Sequence, residues 1–366
     1  HRNYFSDEGY AFKKGIYAKI FEAMLRIKAN YLWPAVWGRA FAEDDAENHA
    51  EAKRYGIVMG TSHEAPMMRG IEEWNRGVKT QGGKPFSDAY GGNGEWSYRT
   101  NKDAVEAYWR DGIKYMAEED FEGVVTIGMR GPGDVALSSE DGIPLVNDFI
   151  SSQRNIIEEV MGVHPAKIPQ VWTLYKEVQD WWESGLRVPG DVTVVWADDN
   201  WGNMRMLPDH DEPERPGGYG LYYHFDYVGG PRCYKWVDTN LLPNIWEQLH
   251  LSYELGVDRL WVVNVGDMKG NELPTQFFMD YAWNPERWPV ERLHEWEEMY
   301  AGQQFGSEHA VAAADILRRY SMLQSDRKPE LTNRKDDSTG SPFSLTNYRE
   351  MERVTAEWQK LADDAK

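Results

Sequence analysis

Five short apolar runs in this 366-residue chain each break off into a cluster of acids, bases and amides, and helical stretches separate them. The runs are VVTIGMRGPGD (124–134), PQVWTLYKEV (169–178), VTVVWADDNWGN (192–203), GLYYHFDYVGGPR (220–232) and RLWVVNVGD (259–267). Apolar runs this short, alternating with longer helical patterns, read as repeated strand-helix units, which predicts an α/β protein with a parallel sheet. If such a sheet closes into a barrel, the strand ends form the active-site face. That places Arg130, Asp134, Glu177, Asp198, Asp199, His224 and Asp267 around one mouth.

Earlier segments extend the pattern. Residues 10–29 place Ile16, Ile20, Ala23, Met24 and Ile27 at helical spacing, and NYLWPAVW, ending in Trp37, reads as a strand with an irregular exit at Pro34. A polar helix over EDDAENHAEAKRYG leads to the strand IVMGTSH, with His63 at its tip. Residues 79–99 are rich in glycine and polar residues and predict a long loop, which in a compact barrel is functional or disordered rather than a plain connector. Further helices are expected near 144–162, 176–185 and 240–256. The count is seven strands, so the expected fold is a TIM (β/α)8 barrel lacking its first strand over 1–290. The start of a helical bundle follows over 291–366, interrupted by a polar linker near 325–344.

A formal net charge of -20 repels phosphate backbones and argues against nucleic acid as a partner. No apolar stretch approaches the roughly 20 residues of a membrane-spanning helix. The single cysteine, Cys233, excludes a disulfide within the chain and leaves the compartment open. The chain opens HRNYFSDEGY, with no initiator Met and no leader, so further residues are expected upstream. Aromatic residues make up 13% of the chain, including 17 Trp and 20 Tyr. Flat rings of this kind fill large cores, and they are also the surfaces on which sugar rings stack.

Glycosidic hydrolysis needs two carboxyl groups, one protonated and one ionised, and Asp134, Glu177, Asp198, Asp199 and Asp267 offer suitable pairs at strand ends. The plainer reading of each is a helix cap. In GMRGPGD, Arg130 is placed to hold a substrate carboxylate through a two-pronged pair, or else an internal salt bridge to Asp134. Glu177, where a strand gives way to a WW-containing helix, is a general acid if desolvated and an ionised helix-start residue if exposed. His63 and His224 raise the question of a metal, but no HxH or HExxH spacing is present, and no metal or cofactor is expected.

The stretches LRIKANYLWPAVW, YGIVMGTSHEAPMMR, TIGMRGPGD, QVWTLYKEV, ADDNWGNMR, GGYGLYYHFDYVGGPRCYKW and WVVNVGDMKGNELP together resemble glycoside hydrolase family 115, the xylan alpha-glucuronidases. The resemblance implies inverting removal of glucuronic acid, or its 4-O-methyl form, from alpha-1,2 links on glucuronoxylan. It also implies an exported, periplasmic or secreted bacterial enzyme and a homodimer. Matched by motif, Glu177 is expected as general acid and Asp134 as general base. Arg130, His63, Asp198 and His224 are expected to hold the uronic acid together with Asp199 and Asn200, with Trp37 and Trp201 as pocket walls. Two alternatives stand beside this reading: an inactive or binding-only fragment for uronic-acid sugars, and a metal-dependent barrel hydrolase.

Overall fold

A computed structural model describes residues 12–36, 38–137, 142–209, 212, 214–225, 238–266, 268–326, 343–344 and 346–366. Two compact units emerge, His1–Trp196 with Asp211–Gly220, and Ala197–His210 with Leu221–Lys366.

In the first unit, strands β1 (Tyr31–Leu32) and β2 (Val58–Met59) run parallel, with Tyr31 opposite Val58. A hairpin of β3 (Lys79–Gln81) and β4 (Lys84–Ser87) follows. Strand β2 continues by a parallel bridge from Met59 to Gly123, at the foot of β5 (Val125–Thr126). Parallel pairing then leads to β6 (Gln170–Leu174) and β7 (Thr193–Ala197), where Val171 faces Thr193. The N–H of Val194 donates to the carbonyl of Gly218 at 3.2 Å, which leads into β8 (Tyr219–His224). Every residue of β6 is buried, the continuous apolar signature of a parallel strand covered on both faces.

Helices α1 (Lys14–Arg26), α2 (Phe41–Asp44), α3 (Asn48–Tyr55), α4 (Ile71–Gly77), α5 (Lys102–Glu119), α6 (Gly142–Met161) and α7 (Glu177–Glu183) separate these strands. The buried face of α1 consists of Ile16, Tyr17, Phe21 and Met24, so it is rotated from the expected stripe toward the two aromatic residues. These fill more volume than Ile20 and Ala23, which stay half-buried. Helix α5 buries Val105, Tyr108, Trp109, Gly112, Ile113 and Met116 at successive turns. Gly112 is obligatory there, because a Cβ would lie 2.1 Å from the carbonyl oxygen of Met67. On α6 the buried Gln153 reaches the end of β5. Its amide nitrogen donates to the Gly128 carbonyl at 2.7 Å, and its carbonyl accepts from the Gly128 N–H at 2.8 Å.

The segment over 79–99 is not wholly a loop, since β3 and β4 turn through Gly82 and Gly83, both at positive φ. A Gly-Gly pair between two extended runs is the chemistry of a tight hairpin turn, and both strands are almost wholly exposed, so polar composition hid them.

In the second unit, the N–H of Asp198 donates to the Tyr222 carbonyl at 3.1 Å, and the N–H of Phe225 to the Asn264 carbonyl at 2.9 Å, beside β9 (Leu260–Asn264). Helices α8 (Leu242–Glu254), α9 (Glu272–Trp283), α10 (Leu293–Phe305), α11 (Ala310–Asp326) and α12 (Glu350–Asp364) complete it. Trp296 and Phe277 meet edge-on with ring centres 5.0 Å apart, and the indole N–H of Trp296 donates to buried Asp280 at 2.9 Å. The architecture is a mixed α/β fold, and among the described residues its seven principal strands fall in the seven runs read from the sequence. Among the described residues no helix is long and apolar enough to cross a membrane.

Candidate active site

Beyond β5 the chain turns through Gly128, held at φ 103, where a Cβ would lie 2.9 Å from the Trp172 ring. The clamp from Gln153 fixes this exit, and two residues later Arg130 is only 2% exposed. Trp96 secures the same stretch by donating its indole N–H to the Arg130 carbonyl at 3.0 Å.

The Arg130 guanidinium is shared by two carboxylates. Its Nε donates to Glu177 Oε1 at 3.0 Å and its Nη2 to Glu177 Oε2 at 2.8 Å, a two-pronged pair. Its Nη1 donates to the Asp134 carbonyl at 2.8 Å and also to Asp134 Oδ1. On the other side, His63 Nε2 meets Asp134 Oδ1 at 3.2 Å. Tyr175 packs beneath, its ring centre 4.5 Å from that of His63 and 5.4 Å from the Arg130 guanidinium carbon. Of the two roles open to Arg130 from sequence, the internal pairing is the one present, and it extends to Glu177 as well.

Charge follows geometry. Burial alone pushes the Asp134 carboxyl up, but the His63 hydrogen bond and the Arg130 charge outweigh it and hold the group below the usual aspartate range. Burial likewise works against the Arg130 cation, yet Glu177 and Asp134 raise its pKa above the ordinary arginine value. Asp134 and Lys176, the residue before Glu177, both take positive φ, 57° and 51°. For residues with a Cβ this is strained backbone, retained where surrounding contacts over-determine it.

One residue of this cluster escaped the sequence reading. Glu64, directly after His63, is 4% exposed, and its Oε2 has no hydrogen-bond partner among the described residues. Burial first, and then the negative charge of Asp134, push its carboxyl up to about 8. The only signal in the sequence was an acid adjoining a strand-tip histidine; nothing in TSHEAP announces its burial.

The second unit holds its own constellation. Asp198 is 1% exposed and accepts from the N–H groups of Asn200 (3.1 Å), Gly202 (3.1 Å) and His224 (2.9 Å). Its Oδ1 also lies 2.6 Å from His224 Nδ1. Asp198 thus knots the turn after β7 to the end of β8 and aims the imidazole, whose ring centre lies 4.4 Å from that of Tyr222. Asp199 accepts from the N–H groups of Trp201 and Asn203 and from the Asn203 amide, the capping role open to any acid at a strand end. Asn200 sits at φ 67° with its side-chain oxygen buried and unpartnered, while Trp201 is 38% exposed. Gly202 is required at φ 84°, since a Cβ would lie 2.8 Å from the Tyr223 hydroxyl, which itself donates to the Gly202 carbonyl. Trp37 and Asp267 lie outside the described residues. Among the described residues no three His, Cys, Asp or Glu side chains gather as a metal-binding set.

Comparison with protein families matches residues 1–331 to Glycosyl hydrolase family 115. The chain belongs to that family. Among solved structures it is similar to BtGH115A, a family 115 4-O-methyl-alpha-glucuronidase with specificity for decorated arabinogalactans. The TM-score is 0.83 at 28% identity, over 98% of this chain and 48% of that one. A family 138 enzyme targeting pectin rhamnogalacturonan II shares the fold alone, with a TM-score of 0.51 at 12% identity over 96% of this chain and 48% of that one. The chain therefore spans about half the length of these structures. No curated protein matches it. The family 115 match encloses both constellations, so the residues at the strand ends all fall within the family's own span.

Proposed function

We propose that this chain carries the catalytic site of an alpha-glucuronidase that removes glucuronic acid, or its 4-O-methyl form, from alpha-1,2 links on glucuronoxylan with inversion. The observation that supports this reading is the buried guanidinium of Arg130, held between Asp134 and Glu177. A uronic acid is set apart from neutral sugars by its carboxylate, and Arg is the side chain that grips a carboxylate with two parallel bonds.

In this reading the substrate carboxylate takes over donors of Arg130 that Glu177 now occupies. Glu177, released, carries a proton to the glycosidic oxygen as general acid. Asp134, kept ionised by His63 and Arg130, draws a proton from water that attacks the opposite face of the anomeric carbon. Inversion requires room for that water, with carboxyls roughly 6.5 to 9.5 Å apart once substrate is bound. His63 orients the base and the uronic acid. In the second unit Asp198 aims His224, and Asn200, whose buried side-chain oxygen has no partner among the described residues, is available to a sugar hydroxyl. The larger architecture we propose is strands two to eight of a (β/α)8 barrel over 1–290 followed by the start of a helical domain over 291–366, in an exported enzyme whose full-length form is a homodimer.

Release of free 4-O-methylglucuronic acid tests the proposal, with glucuronoxylan and decorated arabinogalactan assayed side by side under chelator. The chain and a longer polypeptide that contains it are both tested. Glu177→Ala lowers turnover by about 10³-fold or more with little change in melting temperature, the loss expected of an acid that works in the transition state. Appreciable turnover by Glu177→Ala would remove the general-acid role, and activity on arabinogalactan alone would move the substrate class.

A further inference from the structure

Four charged or titratable side chains already crowd the first unit's cluster, and Glu64 makes a fifth. Arg130 donates four hydrogen bonds, two to Glu177 and two to Asp134, so its donors are nearly exhausted by those two residues. Glu64 lies within electrostatic reach of both Arg130 and Asp134, is almost wholly buried, and has an oxygen that meets no donor. An ionised carboxylate cannot remain buried without donors, whereas a protonated one can. The charges whose fields reach it are Asp134 and Glu72, which oppose its ionised form, and Arg130, which favours it, and His63 precedes it in the chain.

We propose that Glu64 is a positioning residue of this site, an uncharged carboxyl that leaves Arg130 undivided between Asp134 and Glu177. This rests on the glucuronidase reading for its catalytic consequence. When Glu64 loses its proton, a third negative charge competes for the single guanidinium and repels Asp134. The guanidinium is drawn away from where the substrate carboxylate would meet it, and Asp134 loses its geometry as the proposed base. The proton goes to solvent, and no other group is consumed.

Glutamine is the shape of a protonated glutamate and cannot ionise, so Glu64→Gln separates the two forms. At pH 6, Glu64→Ala lowers kcat/KM by about 10-fold or more while Glu64→Gln stays within about 3-fold of the parent, since only the first leaves a cavity at this buried position. Between pH 6 and pH 9 the ratio of Glu64→Gln activity to parent activity rises by up to about 10-fold, because a group titrating near 8 is about nine-tenths ionised at pH 9. A ratio that stays constant across that range overturns the proposal. Thermal melting of the same proteins needs no turnover. The parent loses stability relative to Glu64→Gln from pH 5 to pH 8 if Glu64 holds its proton, and parallel melting curves overturn it. Absence of uronic acid release from parent and variants alike rejects the glucuronidase reading, and the melting comparison then decides the state of Glu64 alone.

Discussion

The pair between Arg130 and Glu177 lends itself to a double-mutant cycle. The Arg130 side chain is 3% exposed and that of Glu177 16%, so water does little to screen the two bonds between them. Arg130→Met removes the guanidinium, leaves Asp134 and Glu177 without their cation, and should cost about 3–5 kcal/mol, the range for breaking one side of a buried ion pair. Glu177→Gln keeps one oxygen as acceptor but turns an N–H toward Arg130, at a cost of about 1–2 kcal/mol. In the double variant the second change removes little that remains, so the coupling energy should reach about 1–2 kcal/mol. Urea unfolding followed by tryptophan fluorescence and by circular dichroism gives the four stabilities, provided the two transitions coincide. Coupling within about 0.5 kcal/mol would show that the fork contributes nothing specific and would undercut the role given to Arg130.

Two further outcomes are expected. Gly202→Ala, which combines φ 84° with a clash at Tyr223, should destabilise by about 2–3 kcal/mol, whereas Gly56→Ala, at φ 68° in open space, should cost about 1 kcal/mol; equal effects in thermal melting would contradict the close approach at Tyr223. Asp238, buried beside Ser321, has its carboxyl pushed up to about 6, chiefly by burial. It keeps its proton when folded and loses it more readily when unfolded, so its contribution is full below the ordinary aspartate value. That contribution falls by up to about 3 kcal/mol as pH rises to about 6 and is flat above; Asp238→Asn should lack this slope, and parallel stability curves for the two proteins would refute the assignment.

The strands were legible because buried parallel strands are apolar throughout, as in QVWTL, and the chain change at each strand end is abrupt. Helix limits came close for the same reason: 144–162 was expected where Gly142–Met161 is found, and 240–256 where Leu242–Glu254 is found. The hairpin of β3 and β4 was missed because exposed strands carry no apolar alternation. Pairing among the site residues was half legible. Arg130 and Asp134 are four residues apart in one loop, so their salt bridge was foreseeable, but the fork to Glu177 spans 47 positions and depends on how β5 and β6 align. Asp198 and Asp199 looked alike as adjacent acids; burial separates them, one orienting a histidine and the other only closing its own turn. Glu64 was invisible because its character comes from burial and from one oxygen that meets no donor among the described residues, properties no motif spells out.

The paired hydrogen bonds between Gln153 and Gly128 carry a consequence for how this scaffold tolerates change. Where β5 ends, a glutamine on α6 takes the place of a neighbouring backbone, supplying one donor and one acceptor as a strand would. The position of Arg130 is thereby referenced to a helix rather than to the length of the loop that follows it. Residues inserted between Asp134 and the start of α6 lengthen the rim and leave the cation where it stands, while a one-residue deletion inside α6 ahead of Gln153 swings that amide about 100° around the helix and unhooks the strand end. Such a division lets the surroundings of the site be rebuilt while its central charge keeps its address.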